Sequence, residues 1–227
     1  MDETKKYYAV RTGRTPGIYE SWTDCKAQID KYKGAVFKAF TDKAAAEAFL
    51  QPAETTPINK ELPTAYIDGS YSKKQGVYGY GGYIEYGDKI HILQGTGSNP
   101  EYIAERNIAG ELIGTLAIIR KARALGLQEI NIVYDYSGIE NYLNGSWKAK
   151  TPLAMYYEQY MDLETDWIKY NFVKVAGHTG IEGNELADYL AKEAVGAQLR
   201  KKDIEALKQL REKAKGRGQD GTMENIL

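Results

Sequence analysis

Four carboxylates sit in segments otherwise suited to a hydrophobic core, and they restrict what the chain can fold into. Asp68 follows the apolar strand AYI and precedes Gly69-Ser70. Glu111 lies within IAGELIGTLAII, Asp135 ends NIVYD, and Asp188 lies in NELADYLAK. A carboxylate on or beside an apolar face is costly unless it is paired or bound to a cation. Few Lys or Arg are near enough in sequence to pair all four. Any one of them alone reads as a cap or turn acid; the four together read as one cluster. Hard oxygen donors in this number suit Mg2+ or Mn2+. Two such ions about 4 Å apart can activate water and stabilise the leaving oxygen of an in-line phosphoryl displacement. The chain shows no nucleophile–base triad, and it lacks the phosphate-binding patterns GxxxxGK[ST] and GxGxxG.

The 227 residues divide at QPAETTPINKELP, where Pro52, Pro57 and Pro63 interrupt a stretch without periodic pattern. Such proline spacing gives a semi-stiff linker. The expected organisation is a small domain over residues 1–50, a linker over 51–62, a larger domain over 63–196 and a basic extension over 197–227. In the first part, YYAVRTG, GIYES and AVFKAF read as strands. One helix, capped by Ser21 or Thr23, runs to about Tyr32, and Thr41 caps the second, DKAAAEAFL. The larger part begins with TAYIDGSYS as a strand ending in a Gly-Ser turn. A hairpin turning at Gly87-Asp88 follows. Then come a long helix from about Glu101 to Leu125, ended by Gly126, and the strand EINIVYD. SGIENYL and PLAMYYEQYMDLETDWI read as helices, YNFVKVAGH as a strand, and Ile181 to Ala194 as a helix. A charged helix continues to about Lys215, and residues 216–227 read as a frayed end.

The near-neutral net charge of −1 hides an asymmetry: net +2 over residues 1–50, −6 over 61–196 and +3 over 197–227. It therefore does not exclude nucleic acid. The single cysteine, Cys25, excludes an intramolecular disulfide and reads as a small buried apolar residue. No segment approaches the ~20 apolar residues of a membrane span, and MDETKKYY holds no signal-like apolar stretch. The expectation is a cytoplasmic protein with no membrane partner; no protein partner can be inferred.

His178 sits in AGHTGIEGNELAD, ten residues before Asp188 and beside glycines that let it move. A histidine there can protonate a leaving group or help expel product; the alternative is an ordinary loop residue. His91, in the alternating strand KIHIL, reads as structural.

In order and spacing, YIDGSYS, AGELIGTL, NIVYDYS and VAGHTGIEGNELADYLAK make residues 64–196 resemble a type 1 ribonuclease H. The resemblance implies a mixed five-stranded sheet flanked by helices. It implies that Asp68, Glu111, Asp135 and Asp188 are catalytic ligands of two Mg2+ ions, with Mn2+ as a substitute, and that His178 is a mobile helper. The implied reaction cleaves the RNA strand of an RNA–DNA hybrid, leaving 5′-phosphate and 3′-hydroxyl ends. Glu185, one turn before Asp188, resembles an auxiliary acid, or else a solvated helix residue. Where many relatives have Asp-Ser, this chain has Asp135-Tyr136-Ser137, which puts the neighbouring phosphate contacts in doubt. The segment from Gly145 to Asn171 is too short for the extended basic loop of some bacterial relatives. Trp147, with Lys148 and Lys150, is the candidate remnant of that nucleic-acid surface, and Asn107 is a further candidate contact.

YYAVRTGRTPGIYESWTDCKAQIDKYKGAVFKAFTDKAAAEAFL resembles the hybrid-binding domain at the N-terminus of many type 1 ribonucleases H, also found in caulimovirus viroplasmin proteins. The resemblance implies a small three-strand, two-helix α/β domain that reads the shallow minor groove of an A-form-like duplex. Trp22 and Phe37 would form a platform for the DNA strand, with Tyr8 assisting and Lys38 on phosphate; plain core packing is the alternative. Ala39 stands where relatives often carry a second lysine. Double-stranded RNA is a further duplex this domain could take. A catalytically silent hybrid- or duplex-RNA-binding protein is the competing reading, against which the intact quartet argues. The tail AQLRKKDIEALKQLREKAKGRG is basic and amphipathic: Ile204, Leu207 and Leu210 could pack on the larger domain and Arg200, Lys201, Lys202 and Lys208 could aid nucleic-acid binding, but the default expectation is a solvated extension.

Overall fold

The computed structural model describes residues 6–32, 35–50, 57–175 and 181–216. The chain forms two compact units, Met1–Thr55 and Thr56–Leu227. Among the described residues no helix is long and apolar enough to cross a membrane.

In the first unit, β1 (Tyr7–Thr12), β2 (Gly17–Tyr19) and β3 (Val36–Phe40) form an antiparallel sheet of order β2-β1-β3. Helix α1 (Trp22–Ile29) starts at Ser21, whose hydroxyl accepts the Asp24 N–H at 3.1 Å. Helix α2 (Lys43–Leu50) is capped by Asp42 and not by the expected Thr41. The Asp42 carboxylate accepts the N–H groups of Ala44 and Ala45 at 3.2 and 3.1 Å, two donors that one hydroxyl would serve less well. Ala9, Val10, Cys25 and Ala46 are completely buried, so Cys25 is a core residue, and burial raises its thiol pKa.

The second unit is built on a five-stranded sheet of order β6-β5-β4-β7-β8. Strands β4 (Thr64–Ser72), β5 (Val77–Tyr86) and β6 (Lys89–Gly97) form an antiparallel meander. Strands β7 (Glu129–Tyr134) and β8 (Lys169–Lys174) add in parallel, β7 beside β4. The sheet is therefore mixed, flanked by helices, as the resemblance implies. Helix α4 (Asn107–Ala124) packs on β4, β5 and α6 (Pro152–Glu164), while α7 (Glu182–Ala194) packs on β4, β5 and β6. Between sheet and helices lies a core that includes Ile67, Leu112, Leu116, Ile132, Tyr134, Leu153, Tyr157 and Met161. Short helices α3 (Pro100–Ile103) and α5 (Gly138–Asn141) complete the connections.

Several elements depart from expectation. Strand β4 does not end at Gly69-Ser70; it continues to Ser72 and pairs with β5 throughout. The long helix from Glu101 is interrupted at Arg106, whose φ of 56° breaks the helical run before α4 begins. The charged C-terminal segment is a separate helix, α8 (Lys201–Gly216), set off from α7 by Gly196 at φ 64°. It is not a solvated extension: Leu207, Leu210 and Ala214 are buried against Tyr83, Ile90, Leu186 and Leu190, while Ile204 stays exposed. The Arg211 guanidinium donates to the Glu193 carboxylate, fastening α8 to α7. Residues 217–227 lie outside the described residues, as do 51–56 of the expected linker. The rest of that linker is docked on the second unit. Ile58 packs on Val133, Val173 and Val175, and the buried Asn131 side chain donates to the Asn59 carbonyl at 2.8 Å.

Candidate active site

Asp68 lies mid-way along β4, the central strand, directly opposite Gly81 of β5. Glu111 lies on α4, one turn in from its N-terminus, and Asp135 follows the last residue of β7. The topology thus delivers three carboxylates from three elements to one place: one oxygen of each lies within 4.8 Å of the others. The approach of α4 to β4 depends on small residues. A Cβ on Gly69 would stand 2.2 Å from the Asn107 carbonyl oxygen and 2.5 Å from the Glu111 nitrogen. One on Gly110 would stand 2.0 Å from the Gly79 carbonyl oxygen. The glycine after Asp68 is therefore a seat for the helix that carries Glu111.

Burial and mutual repulsion dominate the electrostatics of Asp68 and Glu111. Asp68 is 8% exposed and Glu111 is 2% exposed. Burial raises the Asp68 carboxyl to about 7, aided by the charges of Asp135 and Asp188 and opposed by hydrogen bonds from Glu111 and the Gly69 N–H. Glu111 is raised well above the usual carboxylate range, first by burial, then by the charges of Asp68 and Asp135. The hydrogen bond between the two lowers Asp68 and raises Glu111. The second Glu111 oxygen, Oε2, is buried with no hydrogen-bond partner. An unpartnered carboxylate oxygen beside two further carboxylates is the donor set of a hard divalent cation. The residues fit a metal.

Asp188, on α7, is not one of these three. Its Oδ2 accepts from Lys192 Nζ at 2.6 Å, although its charge is felt at Asp68. Lys192 is a residue that inspection of the acids alone overlooks, yet its i+4 spacing from Asp188 is visible in the sequence. Glu185 accepts from the Tyr189 hydroxyl at 3.4 Å, lines a cleft of about 450 Å3 with Tyr66, Tyr83 and α8 residues, and is not one of the three clustered acids. Residues 176–180, His178 among them, lie outside the described residues. Asn107 is exposed at the first position of α4. Trp147 is 42% exposed and meets Tyr136 and Tyr142 edge-on at 6.1 and 5.8 Å, so its ring borders the residue after Asp135.

On the first unit, Trp22 and Phe37 are 45% and 42% exposed, so neither is a core residue. Their ring centroids lie 5.8 Å apart, and Tyr8 stands 5.5 Å from Trp22. The result is an aromatic cluster in which Trp22 and Phe37 are exposed and Tyr8 is half-buried. Lys38 is exposed and projects from β3 on the face opposite Phe37, its ammonium 5.5 Å from the Phe40 ring. Ala39 lines a shallow cavity of about 360 Å3 with Lys6 and Tyr8.

Comparison with known proteins separates the two units in the same way. Residues 60–196, more than half of the chain, match the family model described as RNase H, and residues 6–50 match that described as Ribonuclease H1 N-terminal domain. Ribonuclease H1 of Mus musculus is 25% identical over 82% of this chain and 88% of its own length. Ribonuclease H of Saccharomyces cerevisiae is 48% identical over 56 residues, 25% of this chain and 16% of its own. Among solved structures, RNase H1 from the halophilic archaeon Halobacterium salinarum aligns with a TM-score of 0.48 at 24% identity, over 59% of this chain and 97% of that one.

Proposed function

From the chain's membership of the ribonuclease H family, as a ribonuclease H enzyme, we propose that it hydrolyses the RNA strand of RNA–DNA hybrids by two-metal-ion chemistry, leaving 5′-phosphate and 3′-hydroxyl ends. The observation that carries this reading is the convergence of Asp68, Glu111 and Asp135 within 4.8 Å, with Glu111 Oε2 buried and unpartnered. Those three residues would hold the cation, with Asp188 as the fourth carboxylate of the site. Oxygen-only donors suit Mg2+, with Mn2+ as a substitute. Bound ions of this kind supply charge stabilisation for the attacking and leaving oxygens of an in-line displacement at phosphorus. His178 would move a proton to the leaving oxygen.

Tyr8, Trp22 and Phe37 would lie against the sugars of the DNA strand, and Lys38 against a phosphate. Trp147 and Asn107, exposed near the acids, are further candidate contacts to the duplex. The first unit would then tether the duplex and raise its local concentration for an acidic second unit that binds polyanions poorly by itself. Double-stranded RNA is a second duplex the first unit would accept.

The test is a substrate panel. A labelled RNA–DNA hybrid, duplex RNA and duplex DNA are each incubated with Mg2+ or with EDTA, and the product ends are typed by ligation and phosphatase sensitivity. The reading requires Mg2+-dependent cleavage of RNA in the hybrid alone, with 5′-phosphate ends. Hybrid binding without cleavage would refute it.

A further inference from the structure

Asp188 already has a cation. Its side chain is mostly buried, and its Oδ2 accepts from Lys192 Nζ at 2.6 Å, one turn along α7. The helical turn that carries Lys192 is fastened from outside. Gln94 of β6 donates to the Leu190 carbonyl at 2.6 Å and to the Glu193 carboxylate at 3.0 Å, and Arg211 of α8 donates to the same carboxylate. Helix α8 lies beyond residue 196, where the match to the RNase H family model ends. The backbone under Lys192 is thus tethered on both sides, and only its long side chain, 40% exposed, is free to swing.

A lysine ammonium and a divalent ion are alternative counter-charges for one carboxylate. We propose that Lys192 is a positioning residue that holds Asp188 until a divalent cation displaces it, and so sets the concentration at which this fourth carboxylate joins the metal site. The inference rests on the metal-dependent reading above and concerns the occupancy of that site. Removing the ammonium removes the competitor, so cations bind more tightly. Keeping a cation at position 192 keeps the competition. A partly exposed ion pair of this kind changes an equilibrium by about two- to fivefold.

The experiment is calorimetric titration of Mn2+ into the full-length protein without nucleic acid, paired with melting curves at each Mn2+ concentration. Lys192→Ala should lower the half-saturating concentration by about two- to fivefold and widen the gap between metal-free and saturated melting temperatures. Lys192→Arg should titrate like the wild type. In an Asp188→Asn background, Lys192→Ala should have no further effect, which isolates the pair. Lys192→Met, which keeps the apolar stem, serves if the alanine variant folds poorly. Unchanged or weaker Mn2+ binding in Lys192→Ala and Lys192→Met, beside normal binding in the wild type, would overturn the proposal and leave the metal-site reading intact. A wild type that shows no saturable Mn2+ binding would overturn both.

Discussion

Gly69 and Glu111 touch so closely that a methyl group on the glycine would stand 2.5 Å from the Glu111 nitrogen and 2.9 Å from its Cγ. The seat of α4 on β4 and the position of a site carboxylate are therefore one feature. Gly69→Ala must push the helix outward. It should destabilise the second unit by about 1–3 kcal/mol, as overpacking does. It should also reduce cleavage of a hybrid by more than that loss of folded protein explains. Urea denaturation and single-turnover cleavage at saturating Mg2+ separate the two effects.

Asp68 makes the metal-free protein sensitive to pH. Its folded-state pKa of about 7 lies above the unfolded value near 3.9, so between these values the folded state binds more protons. Its contribution is fully present below about pH 4 and is lost as pH rises through about 7. In EDTA, the melting temperature should fall across this window. Asp68→Asn should flatten the slope, and Mg2+ should restore stability most at pH 8, where the carboxylate is ionised. A slope that persists unchanged in Asp68→Asn would place its origin elsewhere.

Helix α8 belongs to the core of the second unit. Leu207 is 1% exposed and Leu210 4% exposed. Leu207→Ala should cost about 2–5 kcal/mol, the range for deleting a buried leucine side chain. Ile204→Ala, at a site 43% exposed, should stay within about 0.5 kcal/mol. Equal and negligible effects of the two would return α8 to solvent.

The aromatic surface of the first unit separates binding from stability. Trp22 and Phe37 are exposed, so Trp22→Ala and Phe37→Ala should leave the melting temperature nearly unchanged. Each should raise KM for a hybrid by roughly tenfold, consistent with about 1–3 kcal/mol for a stacked aromatic, with little change in kcat. Loss of kcat at unchanged KM would contradict a tethering role.

Much of this arrangement is legible in the sequence, for identifiable reasons. TAYIDGSYS, YGGYIEY and EINIVYD are legible as strands because they are short runs rich in β-branched and aromatic residues bounded by turn residues, and β5 and β7 are buried on both faces. The four acids stand out because charge in an apolar run needs a purpose. The features that escape are set by tertiary contact. Gly69-Ser70 carries the signature of a turn, but here glycine serves close packing and the strand runs on. The helix break falls on Arg106, where neither glycine nor proline signals it. The helical spacing of Ile204, Leu207 and Leu210 offers packing as the alternative to solvation, but the surface that Leu207, Leu210 and Ala214 cover is assembled from β5, β6 and α7, which no local pattern reveals. Likewise the sequence groups Asp188 with the other acids, whereas the fold gives it Lys192 as its immediate partner.

The central claim is that the carboxylates of Asp68, Glu111 and Asp135 form a divalent-metal site that cleaves RNA paired to DNA. Asp135→Asn tests it most directly, because this change removes a charge but little volume. Hybrid affinity and cleavage rate would be measured side by side in Mg2+. The account predicts hybrid binding close to wild type and a cleavage rate reduced by more than about a hundredfold, beyond the usual effect of losing a residue that merely supports a metal ligand. Cleavage at the wild-type rate in Asp135→Asn, or undiminished cleavage by the wild type in EDTA, would contradict it.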